Sequence, residues 1–174
     1  DVVIHGDSGP ASAWAAGVTE GARIVVAGPR GSKLPPEGAD WYVLAGDETA
    51  LPAISRWLRV LPADADVTVL AEVQDAADEA YLAELGSPHR VTYLHRGTAE
   101  PGTTTLIADA VRALPRRDGA GFWWLAGEAQ SLVPARRYLR RELGLDAAAV
   151  DCSGYWKRGI AEHDHHAPVD PTDP

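Results

Sequence analysis

The chain has no methionine, a single cysteine and a single phenylalanine among its 174 residues. Because Cys152 is alone, an internal disulfide is excluded, and this cysteine usage is typical of a reducing compartment. We therefore expect a cytoplasmic location. A natural open reading frame begins with methionine, so its absence leads us to expect a processed or excised piece of a longer protein.

Long apolar runs and an excess of positive charge are also missing. No run approaches the ~20 apolar residues that span a bilayer, and no signal peptide is visible, so we expect no membrane span. The net charge of -9 disfavours a nucleic-acid partner or an anionic membrane surface. A chain of this length, 45% hydrophobic and 24% charged, is long enough for one domain with a core and part of a second.

The first ten residues contain GDSGP, one glycine short of the GDSGGP that surrounds the nucleophile of chymotrypsin-like proteases. Those enzymes place a histidine and an aspartate before the nucleophilic serine, whereas only seven residues precede Ser8. The match to a protease is therefore accidental, and Ser8 is interpreted as a solvent-facing turn serine.

From residue 41 onward, apolar strands alternate with helices. The strands are predicted at residues 41–45, 67–73, 91–95, 121–126 and 149–153, and the helices between them at 49–61, 75–84, 104–114 and 128–143. This alternation predicts a parallel sheet covered on both faces, and right-handed crossovers make it a doubly wound α/β fold. Ahead of it we predict strands at 1–5 and 21–27, a short helix that opens at 9–12 and ends at 16, and a linker rich in proline and charge.

In a doubly wound sheet, ligands lie beyond the carboxyl ends of the strands, where the strand order reverses. The turn after the first strand reads AGDETALPAIS and lacks the G-x-G-x-x-G of dinucleotide-binding folds. The candidates for nucleotide contact there are Gly46, Asp47, Glu48, Thr49 and Ala50. Backbone N–H groups at the start of the helix suit a pyrophosphate, but acids that cap the same helix explain the pattern equally simply. On spacing alone, capping ranks ahead of nucleotide binding.

Four stretches together resemble the siderophore-interacting protein family, the flavin-dependent ferric-siderophore reductases of the ferredoxin-reductase superfamily. They are HGDSGPASAWA (His5–Ala15), AGDETALPAIS (Ala45–Ser55), LAGEAQS (Leu125–Ser131) and GYWKRG (Gly154–Gly159). A fifth stretch, VVAGPRGS (Val25–Ser32), is similar to the close of the family's flavin barrel. Each motif alone is weak, and their common order makes the resemblance specific.

The resemblance implies a division of the chain into four parts: residues 1–33 as a remnant of the antiparallel FAD-binding barrel, 34–40 as a linker, 41–160 as the NAD(P)H-binding domain, and 161–174 as a flexible tail. It implies hydride transfer from NAD(P)H to FAD, followed by electron transfer to ferric iron, which is thereby released from its siderophore. Upstream barrel strands with an Arg-x-Tyr-Ser/Thr stretch are missing here. We therefore expect this chain alone to be inactive and not to retain FAD.

In the family, H-G-x-x-G-P-A-S lies where the barrel hands the FAD pyrophosphate to a helix N-terminus. The resemblance therefore assigns the pyrophosphate contacts to His5, Gly9, Pro10, Ala11 and Ser12. It assigns the NAD(P)H contacts to two turns and one strand end: Gly46, Asp47, Glu48, Thr49, Ala50, Glu72, Gly127, Glu128 and Ala129.

Two of the nucleotide assignments have alternatives. Glu72 ends the second predicted strand, where an acid commonly holds ribose hydroxyls and disfavours a 2′-phosphate, so NADH is slightly favoured over NADPH. Arg96 opposes this if it receives a phosphate, and Glu72 is equally well read as a solvated carboxylate. Superfamily members often carry Cys-Gly next to the nicotinamide, and here Ala126 replaces the cysteine. Glu128 either contacts the nicotinamide or caps its helix.

The end of the chain carries the acceptor-side predictions. Trp156 is expected to cover the flavin edge, as terminal aromatics do in the superfamily. Lys157 and Arg158 are expected to bind an anionic ferric siderophore, and the alternative is two solvated loop charges. The histidine-rich run at 163–166 lacks the spacing of a metal motif, so we expect no metal site.

Two other functions stay open at this point. The chain could belong to another flavin- or ferredoxin-linked NAD(P)H reductase, because two basic residues indicate an anionic acceptor but not a particular one. It could also be a nucleotide-binding or interaction module without catalysis, if the chain is naturally this short.

Overall fold

The computed structural model describes residues 2, 10–28, 33–83 and 89–172. The chain divides into two compact units, Asp1–Leu34 and Pro35–Pro174. The strand predicted at 1–5 falls, except for Val2, outside the described residues, as does Ser8.

The first unit contains one helix, α1, at Pro10–Gly17, within its described part. Proline suits the first helical position because the N–H that it lacks has no acceptor within the helix. The predicted helix is therefore confirmed. The predicted strand at 21–27 is wrong: these residues lie in no strand, and Val25 and Val26 are 93% and 83% exposed. A strand needs a neighbour for its backbone hydrogen bonds, and no described segment pairs with this one.

The second unit is built on a five-stranded sheet whose neighbouring strands are all parallel. Its strands are β1 Trp41–Gly46, β2 Asp66–Val73, β3 Arg90–His95, β4 Gly121–Glu128 and β5 Val150–Trp156. The spatial order is β3-β2-β1-β4-β5, so the order reverses between β1 and β4. The prediction of a doubly wound α/β sheet is confirmed.

Helices cover both faces of this sheet. They are α2 Leu51–Val60, α3 Ala80–Ala83, α4 Leu106–Ala113 and α5 Ala129–Arg137. Short 3-10 turns lie at Glu48–Ala50 and Ala147–Ala149, and a π-helical turn at Tyr138–Glu142 follows α5. Buried residues of α2 and α3 belong to one core cluster, and those of α4 and α5 to the other.

The central strands are buried on both faces, which is why they read as continuous apolar runs. On one face Trp57 of α2 stacks on Phe122 at 5.9 Å and packs against Trp124 at 5.4 Å. On the other face Trp41 and Trp123 make an edge contact at 5.6 Å. Adjacent tryptophans of β4 thus fill opposite cores, which anchors the middle of the sheet.

Two helices differ from their predictions. The helix predicted at 75–84 is reduced to α3 among the described residues, because aspartates upstream bond to the backbone of turns instead. Asp75 accepts from the N–H of Ala77 at 2.8 Å, and Asp78 accepts from the N–H of Gln74 at 3.1 Å. The helix predicted at 128–143 leaves α-helical geometry at Tyr138 and continues as the π-helical turn.

The segment predicted as a flexible tail is partly packed against the second unit. Val169 is 3% exposed and joins the core cluster under α5, and Asp170 is 2% exposed. The carboxylate of Asp170 accepts from Arg137 Nε at 2.5 Å and from the hydroxyl of Thr172 at 2.7 Å. An apolar anchor and a charge-assisted hydrogen bond hold this end of the chain where composition alone indicated fraying.

Asp170→Asn should release this anchor in a pH-dependent way. Hydrogen bonds from Arg137 and Thr172 hold the pKa of Asp170 well below its usual range. The ionised carboxylate of Asp170 therefore contributes fully to stability above the pKa that Asp170 has in the unfolded chain, and this contribution is lost as the pH falls below about 4. We expect Asp170→Asn to lower the melting temperature at pH 7. The difference in melting temperature between the wild type and the variant should become smaller toward pH 3. Thermal melts across this range check it, with exposed Glu162→Gln as the control. A difference that grows in acid would contradict the assignment.

Candidate functional site at the carboxyl edge of the sheet

The carboxyl ends of the five parallel strands meet at one edge of the sheet. We call the crevice the pair of turns at the reversal point, residues 46–50 after β1 and residues 127–129 at the end of β4. The two turns are joined directly, because the N–H of Glu128 donates to Asp47 Oδ2 at 2.9 Å. This bond and the pairing of β1 with β4 place the two turns together at adjacent strand ends.

Asp47 is the most highly connected side chain of the crevice and is 6% exposed. Its Oδ1 accepts from the N–H of Thr49 at 2.9 Å and from the Thr49 hydroxyl at 2.5 Å. Its Oδ2 accepts from the N–H of Glu128 and from Trp156 Nε1, each at 2.9 Å. These four donors stabilise a buried negative charge and tie the first turn to β4 and β5.

Glu128 is 1% exposed and caps α5. Its Oε2 accepts from the N–H of Ser131 at 2.7 Å, and the Ser131 hydroxyl donates to the carbonyl of Glu128 at 3.0 Å. Its Oε1 accepts from the N–H of Arg158 at 3.1 Å. The capping alternative is therefore present in the structure, and contact with a nicotinamide stays a prediction.

Two glycines allow the turns to approach each other. A Cβ on Gly46 would lie 2.4 Å from the Cβ of Ala50 and 2.5 Å from the carbonyl oxygen of Ala126. Gly127 has φ +149°, and its Cβ would lie 2.7 Å from Asp47 Oδ2. Protein packing alone therefore requires glycine at both positions. Ala50 and Ala129 are 0% and 4% exposed, so their side chains serve this packing.

Gly46→Ala should destabilise the fold by about 1–3 kcal/mol, because its new methyl group meets backbone and a buried Cβ that cannot easily move. Urea unfolding of the wild type and of Gly46→Ala measures the difference in their free energies of unfolding. Gly17→Ala is the matched control, since among the described residues no atom beyond its chain neighbours and its own helix lies within 4 Å of the added Cβ. A Gly46→Ala variant as stable as the wild type would show that the two turns are not packed as described.

Glu72 lies at the β2 side of the crevice and is 4% exposed, so the alternative of a solvated carboxylate is wrong. The hydroxyl of Thr104 lies 2.9 Å from both of its carboxylate oxygens. Burial raises the pKa of Glu72; the Thr104 hydrogen bond and Arg96 lower it, while the negative charges of Asp47 and Glu48 raise it. The net effect is a carboxyl group that holds its proton to a higher pH than usual.

The sign of this effect can be tested with Glu72→Gln. An acid with a raised folded-state pKa costs stability as the pH rises above its unfolded pKa, because the unfolded chain ionises more readily. We expect the melting temperature of Glu72→Gln, relative to wild type, to rise between pH 4 and pH 8. Thermal melts measure it, with exposed Glu37→Gln as the control. A relative melting temperature that falls over this range would show that the folded protein favours the charged carboxylate.

Arg96 lies after β3, with a side chain that is 7% exposed. Its Nη1 is paired with Glu48 Oε1, so the end of β3 is connected to the first turn. Its Nε has no hydrogen-bond partner among the described residues. This ion pair compensates the charge of one carboxylate of the crevice, that of Glu48.

The loop after β3 supplies residues that sequence reasoning did not select. Gly102 has φ +73°, and its Cβ would lie 2.5 Å from Glu128 Cγ and 3.1 Å from Trp156 Cη2. Thr104, in the same loop, binds Glu72. The run PGTTT (Pro101–Thr105) is the only signal in the sequence for this loop, and it does not indicate which strand ends the loop covers.

The C-terminal predictions fall on both sides of the end of β5. Trp156 ends the strand and is half-buried, with its indole bound to Asp47. Lys157 and Arg158 form a tight turn in which the N–H of Ile160 donates to the carbonyl of Lys157 at 3.0 Å. Three predicted residues lie at the start of α1, namely Pro10, Ala11 and Ser12. His5 and Gly9 lie outside the described residues.

Within the described ranges, no His, Cys, Asp and Glu side chains form a group of three or more that could hold a metal ion. No helix among those residues has the length and apolar character needed to cross a bilayer. Cys152 packs against the second core, where burial raises the pKa of its thiol to about 12.

Comparison with known proteins identifies the family. Residues 39–159 match the family model described as siderophore-interacting protein, and residues 1–33 match the model of the siderophore-interacting FAD-binding domain. The chain belongs to the siderophore-interacting protein family. The resemblance read from the four sequence motifs is thereby confirmed.

Individual relatives agree with this assignment. Ferric vibriobactin reductase ViuB of Vibrio cholerae is 33% identical over 172 residues, which cover 95% of this chain and 61% of ViuB. A siderophore utilization protein from T. fusca has a TM-score of 0.85 and 47% identity, covering 95% of this chain and 62% of that one. The siderophore-interacting protein SipS from Aeromonas hydrophila has a TM-score of 0.76 and 35% identity, covering 91% and 61%. The chain spans about 60% of the length of the curated relatives that it matches.

Proposed function

We propose that this chain is the nucleotide-binding part of an FAD- and NAD(P)H-dependent ferric-siderophore reductase. The observation that carries the proposal is the carboxylate of Asp47, which binds both the β4 turn and the indole of Trp156. The predicted nucleotide turns, the aromatic end of β5 and the start of the basic turn at 157–158 therefore lie together at the reversal point of the sheet. Family membership and the name of the vibriobactin reductase support the same reaction.

The first three parts of the predicted division of the chain are proposed on the same grounds. Residues 1–33 would close the FAD-binding barrel, 34–40 would be the linker, and 41–160 the NAD(P)H-binding domain. The separation of compact units after Leu34 and the limits of the two family models support these boundaries.

The crevice fits a nicotinamide nucleotide despite its acids. The carboxylates of Asp47 and Glu128 accept hydrogen bonds from protein donors, and Glu48 is paired with Arg96. These partners reduce the repulsion that a pyrophosphate would meet. Backbone groups of residues 46–50 and 127–129 would then face the nucleotide, as is usual at this position of a doubly wound sheet.

Two residues on the same side of the crevice, at the ends of the neighbouring strands β2 and β3, bear on the choice of nucleotide. Glu72 would accept from the ribose hydroxyls and supports NADH, whereas the positive charge of Arg96 would favour a 2′-phosphate and supports NADPH. Parallel titration with both nucleotides decides between them.

The first unit fits the pyrophosphate of FAD through its donors. Residues 10–12 form the first turn of α1. Pro10 has no N–H, but the backbone N–H groups of Ala11 and Ser12 lie at the helix N-terminus, where phosphate oxygens are favoured. When bound, FAD would take a hydride from NAD(P)H and deliver its electrons singly to ferric iron. No side chain of this chain needs to act as an acid or nucleophile in that sequence. The residues described here bind and orient the reactants.

The basic turn is suited to the ferric siderophore, which is typically anionic. Lys157 is half-buried and Arg158 is exposed, and neither side chain forms an ion pair with a described residue. Both cations therefore remain available to an anionic acceptor in a chain whose net charge is -9.

The proposal is tested on the complete natural protein that carries this sequence. Stopped-flow mixing with NADH or NADPH should bleach its bound flavin, and a ferric siderophore should then restore the oxidised spectrum while ferrous iron is trapped by a chelator. A protein that binds no flavin, or whose flavin is not bleached, would overturn the proposal. Bleaching without ferric-siderophore turnover would indicate a reductase for another acceptor.

Replacing Lys157 and Arg158 together with alanine should raise the KM for an anionic ferric siderophore by roughly three- to tenfold at low salt. The effect should shrink at high salt, because screening acts over a Debye length of about 8–10 Å. Flavin reduction by NAD(P)H should change little. The control is the double variant Arg56→Ala and Arg59→Ala, which removes the same charge from exposed positions of α2. If the KM at low salt is unchanged, the two residues are solvated loop charges.

A further inference from the structure

We propose that Asp47 is a positioning residue, which fixes the indole of Trp156 against the nucleotide turns rather than contacting the nucleotide itself. The inference rests on the proposed function, and it assigns a task to a residue that the sequence placed among the nucleotide contacts. Trp156 lies 109 residues away along the chain and reaches Asp47 only because β5 ends beside β4.

The carboxylate of Asp47 has no acceptor capacity left for a ribose or amide of the nucleotide. A carboxylate offers about four lone-pair sites. Here they receive four donors, two from Thr49 and one each from Glu128 and Trp156. A nucleotide donor could bind only by displacing one of these buried hydrogen bonds.

The indole of Trp156 is held at two ends. Its Nε1 donates to Asp47 Oδ2 at 2.9 Å, and its Cη2 lies 3.1 Å from the position that a Cβ on Gly102 would occupy. The first contact sets the direction of the N–H, and the close approach of the loop limits movement of the opposite edge. Together they limit the direction in which the long axis of the ring can lie.

The same oxygen that binds the indole also binds the β4 turn. Because Oδ2 accepts from both Trp156 and Glu128, the indole is tied to the turn that carries Gly127. A Cβ at Gly127 would enter this oxygen's space at 2.7 Å. The indole of Trp156 and the turn at 127–129 are therefore positioned relative to each other by one atom, Asp47 Oδ2.

This arrangement predicts which step of the reaction a substitution of Asp47 should affect. If Trp156 covers the flavin edge, a misplaced ring should slow hydride transfer, since small errors of position are costly in that step. Nucleotide affinity should be largely retained. A direct ligand of the nucleotide would show the opposite pattern, with a raised dissociation constant.

The test uses the complete natural protein with bound flavin and the variants Asp47→Asn, Trp156→Phe and their combination. The first replaces an acceptor oxygen by an amide donor, and the second removes only the indole N–H and part of the ring. Asp75→Asn is the matched control, because Asp75 also accepts from a backbone N–H in a turn at a strand end, but in the turn after β2 and not beside Trp156. Circular dichroism and melting curves confirm that each variant is folded.

Two readouts are measured. The first is hydrogen exchange of the Trp156 indole, whose resonance is identified by its absence in Trp156→Phe. The second is stopped-flow flavin reduction, which separates the limiting rate from the dissociation constant for NAD(P)H. A merely structural role of Asp47 would change stability without a specific loss of indole protection and a specific fall in the limiting rate.

We expect a protected indole in the wild type and faster exchange in Asp47→Asn. The limiting rate should fall by roughly tenfold in Asp47→Asn, with a dissociation constant within about twofold of wild type. In the Trp156→Phe background the same change should have a smaller effect, since the partner is already lost. Asp75→Asn should behave as wild type in both readouts.

Three results would overturn the proposal: equal effects of Asp47→Asn in both backgrounds, a raised dissociation constant as its main effect, or an indole that exchanges freely in the wild type. If Asp47→Asn does not fold, the wild-type exchange and the Trp156→Phe rate still decide, because an unprotected indole or an unchanged rate refutes the positioning role. Failure of the wild type to reduce its flavin would instead refute the proposed function. In that case the exchange data alone would still support or refute the Asp47–Trp156 contact.

Discussion

The site depends on one carboxylate at the reversal point of the sheet. β1 and β4 are neighbours with no direct connection, so their outgoing turns diverge to opposite faces, and something must hold them together. Asp47 does this by capping its own turn with one oxygen and accepting from the β4 turn and from Trp156 with the other. A short acidic side chain can do so only because glycine at 46 and 127 lets the backbones approach.

The acids of the crevice differ in the hydrogen-bond donors and cations that compensate their negative charges. Asp47 and Glu128 are surrounded by backbone and side-chain donors, and Glu48 has a cation. Glu72 has a single hydroxyl and a raised pKa, so it is the acid of the crevice whose charge is most costly. Protonation removes that cost, so the charge on the β2 side of the crevice is the one that a nearby anion would change most readily.

The fold could be predicted from the sequence wherever the burial of a segment determines its local pattern of apolar residues. Strands such as β1 and β4, buried on both faces, are apolar throughout, and the parallel doubly wound arrangement follows from their alternation with helices. The prediction failed where local pattern and tertiary context disagree. Residues 21–27 alternate as a strand does but have no described partner, and Val169 reads as part of a polar tail but fills the core under α5.

The acidic residues at the strand ends could be selected from the sequence, but the hydrogen bonds that join them to distant residues could not. Position at strand ends selected Asp47, Glu72 and Glu128, because the carboxyl ends of parallel strands share one edge. The bonds between them join residues 81 and 109 positions apart, and no periodicity or spacing encodes which oxygen accepts from which donor. For the same reason the loop with Gly102 was missed, since its role is defined by the space that it leaves.

The attachment of the basic turn shows how an acidic edge can present positive charge. Glu128 holds Arg158 through the backbone N–H and not through the guanidinium. A buried carboxylate paired with the guanidinium would have fixed the side chain and neutralised it, whereas a bond to the backbone fixes the turn and leaves the cation exposed. Because Glu128 also caps α5 and bonds to Asp47 through its own N–H, the position of this turn is set by the same contacts that set the crevice. The crevice and the basic turn are thus parts of one hydrogen-bonded unit, so a change in the packing of either should affect both.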